Sequence, residues 1–156
     1  MRRSLVFVFA AACGSPPPGN SLTFDPCDRM VVTAPNATDD QLASIDDAIA
    51  MWQAKGVAGL VRGEVPAVTI KFHEATESIY GFYDDTTATL YVNRRLVDPS
   101  QRSITLAHEL GHALGLVHVS PDTRISVMNP GNLRVPPNES DAAALARLWG
   151  TCPGAP

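Results

Sequence analysis

Three of the four histidines in this 156-residue chain lie within eleven residues, in the segment HELGHALGLVH at positions 108–118. His108 and His112 are four residues apart, so on a helix they lie on one face, one turn apart. That spacing lets two imidazoles reach one small cation at the roughly 2 Å distance of a Zn–N bond. Gly115 suits a sharp helix end, after which the chain can turn back and bring His118 to the same ion. The segment therefore predicts a helix, a turn and a returning loop around one metal.

Glu109 stands beside the first of these histidines, close enough to hydrogen-bond a water on the metal but poorly placed to ligate it. Three neutral nitrogen ligands leave the fourth tetrahedral position to water, which is typical of catalytic rather than structural zinc. Each residue also has an ordinary interpretation. His108 and His112 could be a surface pair bridged to Glu109, Gly115 a plain helix C-cap and His118 a loop histidine. The four together at the required spacings favour the metal site.

The sequence patterns of the rest of the chain predict an α+β domain. β-branched or alternating segments predict strands, and apolar residues at helical spacing after N-cap residues predict helices. The polar residues Asp-Asp-Thr-Thr at positions 84–87 predict a turn between the last two predicted strands. The predicted strands are residues 29–34, 67–72, 79–83 and 88–93, and the predicted helices are residues 40–55, 98–114 and 140–148.

The composition and charge of the chain exclude some classes of function. The length fits one domain, and 45% hydrophobic residues with 18% charged residues suit a packed core. The net charge of −4 and the absence of any Lys/Arg run argue against nucleic acid as a partner. We therefore expect a globular monomer that does not bind nucleic acid.

The first residues predict export. Residues 1–12 combine a basic start, a short apolar run and three alanines, as in a signal peptide. The order basic, apolar, small and then Cys13 resembles a bacterial lipoprotein signal, with lipid on Cys13 and residues 13–24 as a Pro/Gly/Ser tether. Cleavage after Ala12 by an ordinary signal peptidase is the alternative. The expected location is the cell envelope, at the outer membrane in a two-membrane cell, or the secreted fraction.

Export makes a disulfide bond between two of the cysteines possible. If Cys13 carries lipid, Cys27 and Cys152 form the remaining pair, and in an oxidising compartment an even pair indicates one disulfide. Two unpaired thiols are the alternative. The predicted folded domain is then residues 25–152, followed by a tail at residues 153–156.

The histidine segment and the residues after it resemble a known group of proteases. Residues 108–118 match H-E-x-x-H-x-x-G-x-x-H of the metzincins at every fixed position, and Met128 falls where their Met-turn would. Within that group the chain is most similar to the matrixins, in HELGHALGL, in Met128-x-Pro130 and in the closing residues 140–150. The astacin and serralysin groups instead carry a tyrosine near the Met-turn, and none follows Met128 here.

The resemblance implies a zincin fold: a small twisted mixed sheet with an N-terminal helix, an active-site helix and a C-terminal helix. It implies a zinc-dependent endopeptidase that hydrolyses peptide bonds through a zinc-bound water, with Glu109 as general base. One zinc is expected on His108, His112 and His118. His73 is the one histidine outside the motif, so a second zinc is not expected; calcium is possible without support.

Two further expectations concern the substrate and the main alternative. An extended substrate should pair with an edge strand, most plausibly residues 79–83, and Asn132 stands where matrixins usually have a pocket-wall tyrosine. The alternative function is a non-catalytic, zinc-containing binding lipoprotein. Glu109 counts against it, because a structural zinc has no use for a general base.

Overall fold

A computed structural model of the chain describes residues 21–152. The elements, in chain order, are the strand β1 (Met30–Thr33), the helix α1 (Asp39–Gln53), the strands β2 (Leu60–Arg62), β3 (Val68–His73), β4 (Gly81–Asp84) and β5 (Thr89–Asn93), and the helices α2 (Pro99–Ala113) and α3 (Glu139–Trp149). The predicted signal peptide, Cys13, most of the predicted tether and the tail lie outside the described residues.

The five strands form one mixed sheet in the order β2-β1-β3-β5-β4. The first three neighbouring pairs are parallel, and β4 runs antiparallel to β5 with Phe82 opposite Tyr91. β4 is therefore an edge strand, and within residues 21–152 no other strand covers its outer side. The α+β prediction is confirmed: a mixed five-stranded sheet with three helices, each predicted segment lying within a few residues of its observed element.

The helices α1 and α2 cover the sheet and share the core with it. The Trp52 side chain of α1 is fully buried and donates from Nε1 to the Ala107 carbonyl of α2, at 2.8 Å. Arg102 is also buried in this interface, where it donates to the Ser44 hydroxyl and the Asp40 carbonyl. A buried guanidinium needs such partners, so these bonds fix where α2 lies against α1. The helix that carries the histidines is thus rigidly positioned.

The segment before β1 lies against the domain although its composition predicts a tether up to residue 24. The Leu22 N–H donates to the Asp85 carbonyl at 2.7 Å, and the Phe24 N–H donates to the Ala113 carbonyl at 2.8 Å. The Tyr83 hydroxyl donates to the Leu22 carbonyl, also at 2.7 Å. Backbone bonds of this kind do not depend on side-chain composition, which explains why the sequence gives no sign of them.

Cys27 and Cys152 are disulfide-bonded across 125 residues, as the cysteine count predicts. The bridge joins the segment before β1 to the chain just after α3, so it closes almost the whole described domain into one loop. No helix of residues 21–152 is long and apolar enough to cross a membrane.

Replacing Cys27 and Cys152 together by serine should lower the free energy of unfolding by up to about 5 kcal/mol, since the chain-entropy model assigns that value to so long a loop. Urea unfolding followed by circular dichroism measures the change. A Cys13→Ser protein, which keeps the bridge, is the control and should unfold like wild type. Equal midpoints for all three proteins would contradict a stabilising role for the disulfide.

Candidate active site

The helix α2 begins and ends where its sequence dictates. Asp98 caps its N-terminus by accepting from the Gln101 N–H, and Pro99 occupies the first helical position, where no N–H is needed. At the other end Gly115 has a φ of +89°, which favours glycine, and the Leu116 N–H returns to the Gly111 carbonyl. The chain therefore reverses directly after His112 and comes back along the same face.

That reversal brings three imidazoles together. The Nε2 atom of His118 lies 3.0 Å from that of His108 and 3.2 Å from that of His112. All three ligand atoms lie within 4.8 Å of one another. The edge of a tetrahedron with ordinary Zn–N bonds is about 3.3 Å long. The nitrogen donors and their spacing therefore fit one zinc ion.

Backbone carbonyls set the ring orientation of the two helical histidines. Nδ1 of His108 lies 2.7 Å from the Val127 carbonyl, and Nδ1 of His112 lies 2.8 Å from the Leu116 carbonyl. A carbonyl oxygen can only accept a hydrogen bond, so Nδ1 of each ring carries the hydrogen. In a neutral ring Nε2 then keeps its lone pair for a cation. Burial lowers the pKa of His108 to about 4 and also lowers that of His112. Both rings are held in the neutral form that metal binding requires.

Glu109 is buried between α2 and the edge strand. Burial raises the pKa of its carboxyl group to about 8, and the Tyr83 backbone N–H, which interacts with it, acts in the opposite direction. The close approach depends on Gly81: a Cβ there would lie 2.8 Å from both Cγ and Oε1 of Glu109. The Thr105 hydroxyl, one turn earlier on α2, is buried without a hydrogen-bond partner among the described residues.

Met128 lies fully buried beneath α2 in a loop that α3 holds in place. The loop is tied down by Asp141 of α3, which is itself completely buried and accepts from the Ser126 hydroxyl and the Val127 N–H. The Val127 carbonyl is the one that orients His108. A change at Asp141 would therefore reach the histidine through a single residue, Val127.

The packing of Met128 against α2 requires a glycine in that helix. A Cβ on Gly111 would overlap the Met128 sulfur, so only glycine lets the loop approach the helix this closely.

A cleft of about 550 Å³ opens beside the histidines. Its walls are α2 and the Gly115 turn on one side and the edge strand β4 with the residues before it on the other. Asn93 holds those residues in place by donating to the carbonyls of Thr76 and Ile79, at 3.0 and 2.8 Å. Ile79 and Phe82 leave about half of their surface exposed at this wall, so the cleft offers apolar contacts next to polar backbone.

The structure brings together all the residues singled out from the sequence. His108, His112 and His118 converge, Glu109 adjoins them, and Met128 lies below; their roles in binding and catalysis stay predictions. Asn132 lines the cleft, but its side chain bonds the loop itself, through the carbonyls of Val127 and Val135.

The sequence analysis missed four residues that hold the site in shape: Gly81, Tyr83, Asn93 and Asp141. Each acts through contacts with chain segments far away in sequence. The sequence carried one usable signal among them, the Ser140-Asp141 pair in the matrixin-like closing residues, and no local pattern marks the other three.

Solved structures with a similar fold include high choriolytic enzyme 1, a hatching enzyme zinc-protease from Oryzias latipes (medaka fish). The likeness has a TM-score of 0.54 at 14% sequence identity and covers 83% of this chain and 93% of that one. At that identity it shows the fold alone, and it does not test the matrixin likeness.

Two structures of myroilysin also match, with TM-scores of 0.46 and 0.48 at 17% and 18% identity. They cover 62% and 85% of this chain. The chain spans only 52% of the first myroilysin and 66% of the second.

No curated protein matches the sequence. A family model does match, over residues 64–142, and its description is the IrrE N-terminal-like domain of the Peptidase_M78 family. The matched part runs from before β3 into α3 and contains the three histidines, Glu109 and Met128. It is just over half of the chain. The chain thus belongs to the Peptidase_M78 family of IrrE N-terminal-like domains.

Proposed function

We propose that this protein is a zinc-dependent endopeptidase of the metzincin type, with His108, His112 and His118 as ligands and Glu109 as general base. The observation that carries the proposal is the convergence of three imidazoles, with Nε2 of His118 3.0 and 3.2 Å from the other two Nε2 atoms, beside a buried carboxyl group. The Peptidase_M78 membership and the fold likeness to a zinc-protease support it.

The three imidazoles line the cleft, so they would hold a zinc ion within reach of a water and a substrate carbonyl. Zinc, when bound, supplies a Lewis acid for that carbonyl and that water, and its charge favours the ionised form of Glu109. Glu109 accepts the proton of the attacking water and returns it to the nitrogen of the leaving amine. The water attacks the scissile carbon, the C–N bond breaks, and the products are a carboxylate and an amine.

Glu109 is suited to this work by its surroundings. Its carboxyl group is nine-tenths or more shielded from solvent, so a proton it takes up is passed to substrate rather than to bulk water. Burial raises its pKa, which makes the carboxylate a stronger base than an exposed glutamate. The contact with Gly81 holds the carboxyl group at the level of the edge strand, where a peptide would lie.

The outer side of β4 is the proposed binding edge for an extended peptide. Asn93 donates to the Tyr80 carbonyl and Phe82 pairs with Tyr91, so these residues direct their backbone groups toward β5. Gly81 and Tyr83, which alternate with them, direct theirs into the cleft. The Tyr83 N–H is engaged by Glu109, so Gly81 and the Tyr83 carbonyl are the groups offered to a peptide. Pairing with this edge is sequence-tolerant, since it uses only backbone groups. The exposed Ile79 and Phe82 favour substrates with apolar side chains.

We propose the matrixin subgroup for this protein because residues 140–150, whose sequence resembles that of the matrixins, contact the candidate site. Asp141 in α3 bonds the loop of Met128, and Trp149 donates from its indole to the Leu114 carbonyl at the end of α2. The segment with the matrixin-like sequence thus supports the histidine helix from below.

One zinc per chain is the first expectation. His112→Ala should abolish stoichiometric zinc and peptidase activity together, because it removes one of three ligands. His73→Ala changes the one histidine outside the cluster and is the matched control, which should keep both. Elemental analysis of purified proteins measures the zinc. Two tightly held zinc ions in wild type, or full zinc in the His112 variant, would refute the ligand assignment.

Glu109→Gln should lower kcat by about 10²–10⁴-fold while zinc content stays near one, since it removes proton transfer but no ligand. Cleavage of an unstructured protein and zinc content are measured side by side. Glu64→Gln, at an exposed position far from the histidines in sequence, is the matched control and should cleave like wild type. A Glu109 variant that cleaves at the wild-type rate would mean that another group is the base.

The same pair of measurements separates the main alternative. If wild type and the Glu109 variant both hold zinc and neither cleaves any protein or peptide, the chain is a zinc-containing binding module instead.

We also propose that the mature protein is a lipoprotein of the cell envelope anchored at Cys13. The basic, apolar and small residues that precede Cys13 support this. Cys13→Ser should move the protein from the membrane fraction to the soluble fraction of cells that express it. Cys27→Ser, which changes a cysteine within the folded domain, is the control and should leave the partition as it is. Unchanged partition of the Cys13 variant would exclude the lipid anchor.

A further inference from the structure

Residues 21–24 lie along the same cleft as the histidines. Ser21 and Thr23 contribute to its lining together with His108 and Glu109. The segment is held at the far end of β4, where the Ser21 hydroxyl donates to the Asp85 carboxylate and the Tyr83 hydroxyl donates to the Leu22 carbonyl, both at 2.7 Å. It is therefore a wall of the cleft and not merely a connection to β1.

The bond between Leu22 and Asp85 uses the edge that a substrate would use. Gly81 and Tyr83 alternate with the residues of β4 that pair with β5, so both direct their backbone groups to the outer side of the strand. Asp85 follows β4 directly, at the start of the turn to β5, and its carbonyl continues this outer edge. The Leu22 N–H donates to the Asp85 carbonyl at 2.7 Å. Leu22 thus occupies the position that a peptide paired with Gly81 and Tyr83 would need next.

Two further contacts keep the segment there. The Phe24 N–H donates to the Ala113 carbonyl at the end of α2, at 2.8 Å. Three residues later Cys27 is disulfide-bonded to Cys152. The segment is thereby fastened to the edge strand, to the histidine helix and to the chain after α3.

We propose that residues 21–24 close one end of the substrate cleft and limit how much of a peptide can bind on that side of the cleaved bond. The inference rests on the proposed peptidase function. Gly81 marks the level of Glu109, and Asp85 lies four residues further, which is about 13 Å of extended chain. With Leu22 at the end of that distance, the cleft has room for about three substrate residues.

The side of the peptide follows from strand direction. A peptide antiparallel to β4, the pairing that β4 already makes with β5, has its amino-terminal part at Asp85. The limit therefore applies to residues on the amino-terminal side of the cleaved bond. The carboxyl-terminal side lies beyond Gly81, away from the segment.

A series of quenched fluorescent peptides tests the proposal, with one to six residues before the cleaved bond and a constant sequence after it. For wild type, kcat/KM should rise up to about three residues and then stay level or fall. Leu22→Pro removes the N–H that bonds Asp85. In this variant each residue beyond the third should add roughly two- to tenfold, the usual gain from one backbone hydrogen bond.

Leu22→Ala is the matched control, because it keeps the N–H and shortens a side chain that is 42% exposed. It should reproduce the wild-type length profile. Peptides with two residues before the bond should be cleaved at similar rates by all three proteins, which shows that the proline variant is folded. A second series, lengthened after the cleaved bond, should respond to length equally in all three.

The outcomes are distinct. Steady gains up to six residues in wild type, or identical profiles for the alanine and proline variants, would overturn the end wall while leaving the peptidase function intact. Complete absence of cleavage by zinc-loaded wild type would overturn the proposed function, and the inference with it. A plateau that disappears only in the proline variant supports both.

Discussion

The orientation of His108 depends on a buried carboxylate that is not one of the proposed zinc ligands. Asp141 is fully buried in α3 and binds the Ser126 hydroxyl and the Val127 N–H, with Arg124 3.6 Å away to balance its charge. Val127 in turn presents its carbonyl to His108. A buried carboxylate that lost one of these partners would be costly, so α3 and the loop of Met128 form as a unit. The helix α2 supplies two imidazoles, and this unit decides the orientation of one of them, that of His108.

The site is consequently made from three parts of the chain that meet at one place. The helix α2, its Gly115 turn and the loop after it contribute the three imidazoles and Glu109, the edge strand contributes Gly81 and Tyr83, and α3 supports the helix from below. The disulfide ties the chain after α3 to the segment before β1, and that segment ends against the same edge strand. Support, ligands and substrate edge are therefore linked mechanically, although none is adjacent to another in sequence.

The sequence predicts what is local. The spacing of His108 and His112, Pro99 at the start of α2 and Gly115 at its end are short-range signals, and all appear in the structure as expected. β2 was not predicted, because its three residues Leu60–Arg62 lie between two glycines and gain strand structure only by pairing with β1. The sequence predicts a tether up to residue 24, because the Pro/Gly/Ser-rich composition of residues 13–24 says nothing about backbone hydrogen bonds. The contacts of Asp141 and Gly81 depend on tertiary structure, which spacing alone does not reveal.

Gly111 limits how this domain could be engineered. A glycine inside a helix normally invites replacement by alanine, which reduces the freedom of the unfolded chain and stabilises by about 0.5–1 kcal/mol. Here the added methyl group would overlap the Met128 sulfur and push the loop away from α2. The helix that carries His108, Glu109 and His112 must therefore keep a glycine in its interior. Thermostable variants would have to be sought on exposed faces of α1 and α3, where added helix propensity leaves the ligand geometry untouched.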